Sequence, residues 1–148
     1  MAAERTYMRE ILSVEEYKKL PSFKNAGSLE LATELHDVLY NKRGRNIKVL
    51  HVEDKTSIAD YFVLCTGTSS THVRSLADEA EYMMTLRGLH ASNVEGRGNG
   101  SWVLIDYGNV IVHVFNREAR DFYNLDKLYS DTKEVEIDGA EEDADEEF

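Results

Sequence analysis

The segment SWVLIDYGNVIVHVF, residues 101–115, decides the fold that this chain is predicted to adopt. Two runs rich in β-branched and aromatic residues, which favour strands, flank the dipeptide Gly108-Asn109. That dipeptide suits a two-residue turn between antiparallel strands. The turn sets the register of the hairpin, in which Trp102 lies opposite Phe115.

The register assigns each hairpin residue to one of two faces, because side chains alternate along a strand. The apolar face is predicted to belong to the core and carries Val103, Ile105, Tyr107, Val110, Val112 and Val114. The other face carries Trp102, Leu104, Asp106, Ile111, His113 and Phe115. Asp106 and His113 are diagonal neighbours there, close enough for their side chains to interact. This face is either partly covered by a helix, with His113 satisfied internally, or is a site for a partner.

The rest of the pattern predicts an α/β (α+β) domain in which helices flank a mixed sheet. Residues 28–43 repeat apolar side chains at helical spacing, with Ser28 suited to cap the helix and Gly44 suited to end it. Residues 46–52 and 61–66 are predicted strands, and the second is apolar enough to be central.

The segments on either side of the hairpin complete this prediction. A second amphipathic helix follows the central strand and is expected to stop at Gly88. Residues 92–100 are predicted to form a loop that leads into the hairpin, and residues 116–131 suggest one or two short closing helices.

Three segments are predicted along the chain. Residues 1–27 form an N-terminal extension, in which Ser13 and Glu16 match a capping box and predict a short helix. Residues 28–130 form the domain. Residues 131–148 hold ten acids and one lysine, and this composition predicts a disordered acidic tail.

Charge and composition exclude several classes of protein. The chain has 148 residues and a formal net charge of −11, of which the acidic tail carries −9. The remaining, nearly neutral part shows no basic stripe, so sequence-specific nucleic-acid binding is not expected.

Cys65 has no second cysteine to pair with and is predicted to be packed and inert. No apolar run reaches the ~20 residues that span a bilayer and no targeting signal is visible, which predicts a cytoplasmic protein without a membrane partner.

Tests for catalytic chemistry find little. Gly96, Gly98 and Gly100 precede a strand, whereas phosphate-binding glycines follow one, so a flexible loop is expected. The turn at 67–70 could bind an anion but lacks the P-loop lysine, and helix capping is favoured there. A nucleotidyltransferase needs at least two carboxylates for Mg²⁺, and the hairpin supplies Asp106 alone. The five histidines show no metal-ligand spacing, so neither a cofactor nor a metal is expected.

The hairpin belongs to a longer pattern that resembles a known family. DKTSIADYFVLCTGTSSTHVRSLADE, then EGxxxGSWVLIDYGNVIVHVF, then RDFYNLDKLY occur in the order found in the Iojap family, whose bacterial members are called ribosomal silencing factor S. The resemblance extends from about Ser28 to Ser130. Tyr129 and Asp126 stand where the family more often has tryptophan and glutamate.

The resemblance implies a nucleotidyltransferase-like fold without the catalytic acids, and therefore not an enzyme. It implies binding to the large ribosomal subunit through ribosomal protein L-fourteen, which blocks joining of the small subunit and represses translation when nutrients are scarce. It also implies a homodimer. The expected partner-binding residues are Trp102, Leu104, Asp106, Tyr107, His113 and Arg120. The alternative is a nucleotide-binding or nucleotidyltransferase enzyme that uses Asp106 and the turn from Gly67 to Ser70.

Overall fold

The computed structural model describes residues 12–137, so most of the extension before Ser13 and residues 138–148 of the acidic tail lie outside the described residues. The helices are α1 (Val14–Lys18), α2 (Ser28–Asn41), α3 (Ser70–Leu86), α4 (Arg117–Tyr123) and α5 (Leu125–Leu128). The strands are β1 (Arg45–His51), β2 (Tyr61–Gly67), β3 (Asn93–Glu95), β4 (Trp102–Asp106), β5 (Val110–Asn116) and β6 (Lys133–Glu134).

The six strands form one mixed sheet in the order β3-β4-β5-β2-β1-β6. β2 and β5 are parallel, and the other neighbouring pairs are antiparallel. Apolar side chains of α2 and α3 pack on one face of the sheet, whereas α4 and α5 contribute to a separate cluster on the other face. The predicted fold class, a mixed sheet flanked by helices, is confirmed, and β2 is fully buried as expected for its apolar sequence.

The hairpin has the predicted register. Trp102 pairs with Phe115, each following pair is as expected, and the backbone N–H of Tyr107 donates to the carbonyl of Val110 over 2.9 Å. Gly108 has φ of 91°, a conformation that glycine adopts without a steric penalty. All six residues of the apolar face are buried, so that face is part of the core.

Both ends of α2 differ from the prediction. Ser28 is the first residue of the helix rather than its cap, and the capping residue Gly27 makes no side-chain hydrogen bond. At the other end Arg43, not Gly44, takes the left-handed conformation, with φ of 69°. Gly44 is needed for close packing instead, because an added Cβ would meet the Sγ of Cys65. The short helix α1 has the predicted capping box between Ser13 and Glu16.

Two segments that were predicted to lack regular structure contribute edge strands. Residues 93–95 form β3, which is too short and too exposed to show a clear alternation. The acidic tail begins with ordered residues, since β6 pairs with β1 while Val135 and Ile137 pack against the core. The prediction of disorder is therefore wrong for residues 131–137. Among the helices within residues 12–137, none is long and apolar enough to cross a membrane.

Candidate docking surface

An aromatic cluster lies on the sheet face that α4 and α5 share. Trp102 is half-buried in it, with its ring 5.0 Å from that of Phe115 and 4.6 Å from that of Tyr123, measured between centroids. The indole N–H of Trp102 donates to Nδ1 of His113 over 3.2 Å. One neighbouring strand and one helix thus hold this tryptophan in place, because Phe115 and His113 are both on β5 and Tyr123 ends α4.

His113 lies beneath Trp102 in the interior of the cluster. Its ring makes an edge contact with Phe62, with the ring centroids 4.7 Å apart, and burial lowers its pKa to about 3. The imidazole is therefore neutral at pH 7, and since Nδ1 accepts the indole proton, its own proton is on Nε2. Nε2 is buried and finds no hydrogen-bond partner among residues 12–137.

The interaction predicted between Asp106 and His113 does not form. Instead, Oδ1 of Asp106 accepts the backbone N–H of Gly108 over 2.7 Å and so stabilises the turn of the hairpin. An aspartate side chain readily accepts from a backbone N–H two residues ahead, and this local bond wins over a diagonal contact across the strands. Nδ1 of His113 has Trp102 as its partner but Nε2 has none within residues 12–137, so the internal satisfaction of His113 that a partly covered face predicts is met only at Nδ1.

Two aromatic residues of α4 extend the cluster to the surface. Phe122 is 80% exposed and Tyr123 is 50% exposed, and their ring centroids lie 4.9 Å apart. Ala119 and Arg120 of α4 are buried. Tyr123 lies one turn from Ala119 and Arg120 and packs on Trp102, whereas Phe122 is turned toward solvent. We refer to Trp102, Leu104, Asp106, Phe122 and Tyr123 as the aromatic face. The sequence prediction missed Phe122 and Tyr123, although two adjacent aromatic residues in a predicted short helix are visible in the sequence.

Arg120 is in the interior and holds the closing helices against the sheet. Its guanidinium forms two hydrogen bonds of 2.9 Å with the carboxylate of Asp126, and Nη1 donates to the carbonyl of Asn46 and the hydroxyl of Thr66. Burial alone would raise the pKa of Asp126, but hydrogen bonds and charges of Arg120 and Lys48 outweigh it and lower the pKa to about 2. These contacts give Arg120 a structural role.

The six residues predicted to bind a partner therefore do not form a single surface. Trp102, Leu104 and Asp106 are half-exposed on one side of β4. His113 and Arg120 are buried behind them. Tyr107 is buried on the other side of the sheet, where burial raises the pKa of its hydroxyl, which has no hydrogen-bond partner in the described part of the chain.

The parts required by the enzyme alternative lie at opposite ends of the sheet. Asp106 pairs with Ile111 of β5, whereas Gly67 pairs with Asn116, and five residues of a strand span roughly 17 Å. The turn after β2 serves α3, since the side chain of Ser69 accepts the backbone N–H of His72 over 3.0 Å, as the capping prediction expected. In the region from 12 to 137, no three potential ligands come together as a metal site.

Comparisons with known proteins identify the relatives of this chain. Residues 25–148 match the family model described as "Ribosomal silencing factor during starvation", RsfS. A ribosomal silencing factor RsfS from Halalkalibacterium halodurans is 36% identical over 116 residues, which cover 78% of this chain and 97% of that protein. The Bacillus subtilis RsfS is 37% identical over 98 residues, or 66% of this chain and 83% of that protein. A crystal structure from Bacillus halodurans shows 32% identity and a TM-score of 0.62, and covers 74% of this chain and 96% of that one.

Proposed function

Because the chain belongs to the RsfS family of ribosomal silencing factors, we propose that it binds the large ribosomal subunit through ribosomal protein L-fourteen and blocks joining of the small subunit. Membership of the family implies a ribosome-associated partner and repression of translation. We propose further that the partner is the large subunit, that ribosomal protein L-fourteen is the protein contacted, and that silencing is steric. We propose that the aromatic face makes this contact.

The observation that carries this placement is the exposure of aromatic rings next to a fixed tryptophan. Phe122 and Tyr123 are exposed although burial of a large ring is favourable, and Trp102 is held by its bond to His113. Interface centres are enriched in tryptophan and tyrosine, and a preorganised side chain loses little entropy on binding. A carboxylate on the rim, Asp106, suits a basic group on the partner.

Steric exclusion requires no catalytic group, and the aromatic face consists mainly of apolar and aromatic side chains. We propose that the chain is not an enzyme: ribosomal silencing factors are not a known enzyme family, and Asp106 is far from the turn at 67–70. We further propose that it acts in the cytoplasm and forms a homodimer. The homodimer is testable by analytical ultracentrifugation of the purified chain.

Co-sedimentation with separated ribosomal subunits tests the proposal. The wild-type chain should pellet with large subunits and stay in the supernatant with small subunits. Phe122→Ala should weaken binding roughly thirtyfold, as expected when an anchor contributes about 2 kcal/mol. Tyr82→Ala is the matched control, because Tyr82 is also an exposed aromatic residue but belongs to α3 on the other side of the sheet. A wild-type chain that binds neither subunit would refute the proposed function. Equal loss of binding in Phe122→Ala and Tyr82→Ala would refute the placement of the contact on the aromatic face.

A further inference from the structure

Basic side chains gather at the end of the sheet where α2 leads into β1. Residues 42–48 contain four cations and no acid, in a chain whose net charge is −11. Lys42 and Arg43 are exposed, and in the described part of the chain neither forms an ion pair. We refer to Lys42, Arg43 and Arg45 as the basic corner.

The basic corner borders an open groove of about 660 Å³. Thr68 and His72 line the groove from the side of α3, and none of the residues that line it is acidic. Most of the formal charge of this chain is negative, but the groove is lined by three cations and no acid. Such a lining favours the approach of anions.

Hydrogen bonds fix the shape of the groove. Nδ1 of His72 accepts the backbone N–H of Thr68 over 2.9 Å, so the proton of the neutral ring is on Nε2. Nε2 lies 3.2 Å from the carbonyl of Lys42 and donates to it. One imidazole therefore ties the turn before α3 to the end of α2.

The backbone of the basic corner is strained in a way that exposes its charges. Arg43 has φ of 69°, a left-handed conformation that glycine or asparagine adopts at a lower cost. The next residue, Gly44, is buried, and an added Cβ there would approach the carbonyl oxygen of Leu39 to 3.0 Å. The backbone at Gly44 therefore packs against the core, while the adjacent side chains of Lys42 and Arg43 extend into solvent. Arg43 ends the turn after α2 in this conformation, and its side chain and that of Lys42 stay accessible to a ligand.

The basic corner is also continuous with the end of the sheet that carries Trp102. Successive strand pairs join Trp102 to Phe115, Phe115 to Thr66 and Thr66 to Arg45 in one lateral row. Three strand spacings separate the ends of this row, or roughly 14 Å. A partner that covers the tryptophan end of the aromatic face therefore comes close to the basic corner.

We propose that the basic corner binds the phosphate backbone of RNA. Lysine and arginine are the principal phosphate-binding side chains, and contacts to the backbone position a protein without reading sequence. On the proposed function, on which this identification rests, the RNA is the ribosomal RNA of the large subunit beside the docking site of the aromatic face. The aromatic face supplies the protein contact, and the basic corner adds a contact that depends on salt.

The double variant Lys42→Gln/Arg43→Gln tests this inference. Its affinity for isolated large subunits and for a single-stranded RNA of mixed sequence is compared with that of the wild-type chain. Each lost phosphate contact removes about one released counterion, so raising salt from about 50 to 200 mM should weaken the wild type roughly tenfold more than the variant. Lys19→Gln/Lys24→Gln removes two exposed charges elsewhere and is the control, which should keep the wild-type salt dependence.

The outcomes separate this inference from the proposed function. Equal salt dependence of the Lys42→Gln/Arg43→Gln variant and the wild type on both ligands would overturn the RNA contact, while a loss of subunit binding in Phe122→Ala would still support docking. If the wild type binds RNA but not large subunits, and the double variant loses the RNA, the basic corner is an RNA site and the proposed function is wrong. A wild-type chain that binds neither ligand overturns both.

Discussion

The indole N–H of Trp102 donates to Nδ1 of His113, a bond of 3.2 Å between neighbouring strands. Indole is a donor only, so this bond requires a neutral imidazole with its proton on Nε2. It also turns the polar edge of the indole toward His113, so the N–H of this half-buried side chain already has its partner within the protein. A buried histidine thereby positions the residue that we place at the docking surface.

The first prediction concerns the pH dependence of stability. The pKa of His113 is lowered from 6.5 to about 3 in the folded chain, so between these values the unfolded chain binds a proton that the folded chain does not. Stability should therefore fall as pH drops below about 6.5, by at most ~1.4 kcal/mol per pH unit from this group. Between about pH 6.5 and 5, the free energy of unfolding of His113→Leu should fall by about 2 kcal/mol less than that of the wild-type chain. Urea denaturation at the two pH values measures this difference.

His90→Gln provides the control for that measurement, because His90 is exposed. It should leave the pH dependence of the wild-type chain unchanged. If His113→Leu also leaves it unchanged, then His113 does not stay neutral in the folded chain.

A second prediction concerns the buried guanidinium of Arg120. Arg120→Ala removes the partner of Asp126 and the donor to Thr66. Because the side chain of Asp126 is 24% exposed and can be solvated, the loss of unfolding free energy should be about 2 to 3 kcal/mol, less than for a fully buried pair. Arg120→Lys keeps the charge but cannot form both bonds to the carboxylate, so its loss should be intermediate. Denaturant titration measures both variants, and a wild-type midpoint for Arg120→Ala would show that the network contributes nothing to folding.

Two glycines of the loop before β4 should differ in how much stability they lose on substitution by alanine. Gly96 has φ of 87°, and an added Cβ would collide with the carbonyl oxygen of Trp102. Gly98 has no atom within 4 Å of that position. Gly96→Ala should therefore lose more than ~1 kcal/mol of stability, whereas Gly98→Ala should change it by less than ~1 kcal/mol. Thermal denaturation of Gly96→Ala and Gly98→Ala measures this difference, and similar melting temperatures for the two variants would contradict the loop geometry.

The sequence predicted the features that local pattern determines. The register of the hairpin follows from Gly108-Asn109, and the buried face of β5 follows from the alternation of its valines. The end of α2 was misplaced by two residues: the helix ends at Asn41, Arg43 takes the left-handed conformation expected of Gly44, and Gly44 packs closely against Cys65. Tertiary packing outweighed the intrinsic preference for glycine.

The candidate site was only partly predictable, since contacts between distant residues decide its membership. Arg120 bonds to Asn46 and Thr66, which are 74 and 54 residues away, and no local pattern distinguishes such an arginine from a surface one. Tyr107 alternates onto the core face, so the hairpin register already argued against its exposure. Phe122 was missed because four-to-seven-residue helices show too few turns for a clear hydrophobic period.

Trp102 and Phe122 should differ in what their removal costs. Trp102 packs on Phe115, His113 and Tyr123, so Trp102→Ala should lose about 2 kcal/mol of unfolding free energy as well as binding. Phe122 is 80% exposed, so Phe122→Ala should change stability by less than ~0.5 kcal/mol. Calorimetry of the two variants checks this difference. A large loss of stability in Phe122→Ala would show that its ring serves the fold.

Subunit joining measured by sucrose-gradient sedimentation tests the central claim most directly. Large subunits preincubated with the wild-type chain or with Tyr82→Ala should fail to join added small subunits, whereas those preincubated with Phe122→Ala should join them nearly as well as untreated subunits. Normal joining in the presence of the wild-type chain, or a block by Phe122→Ala as complete as that by the wild type, would contradict the account.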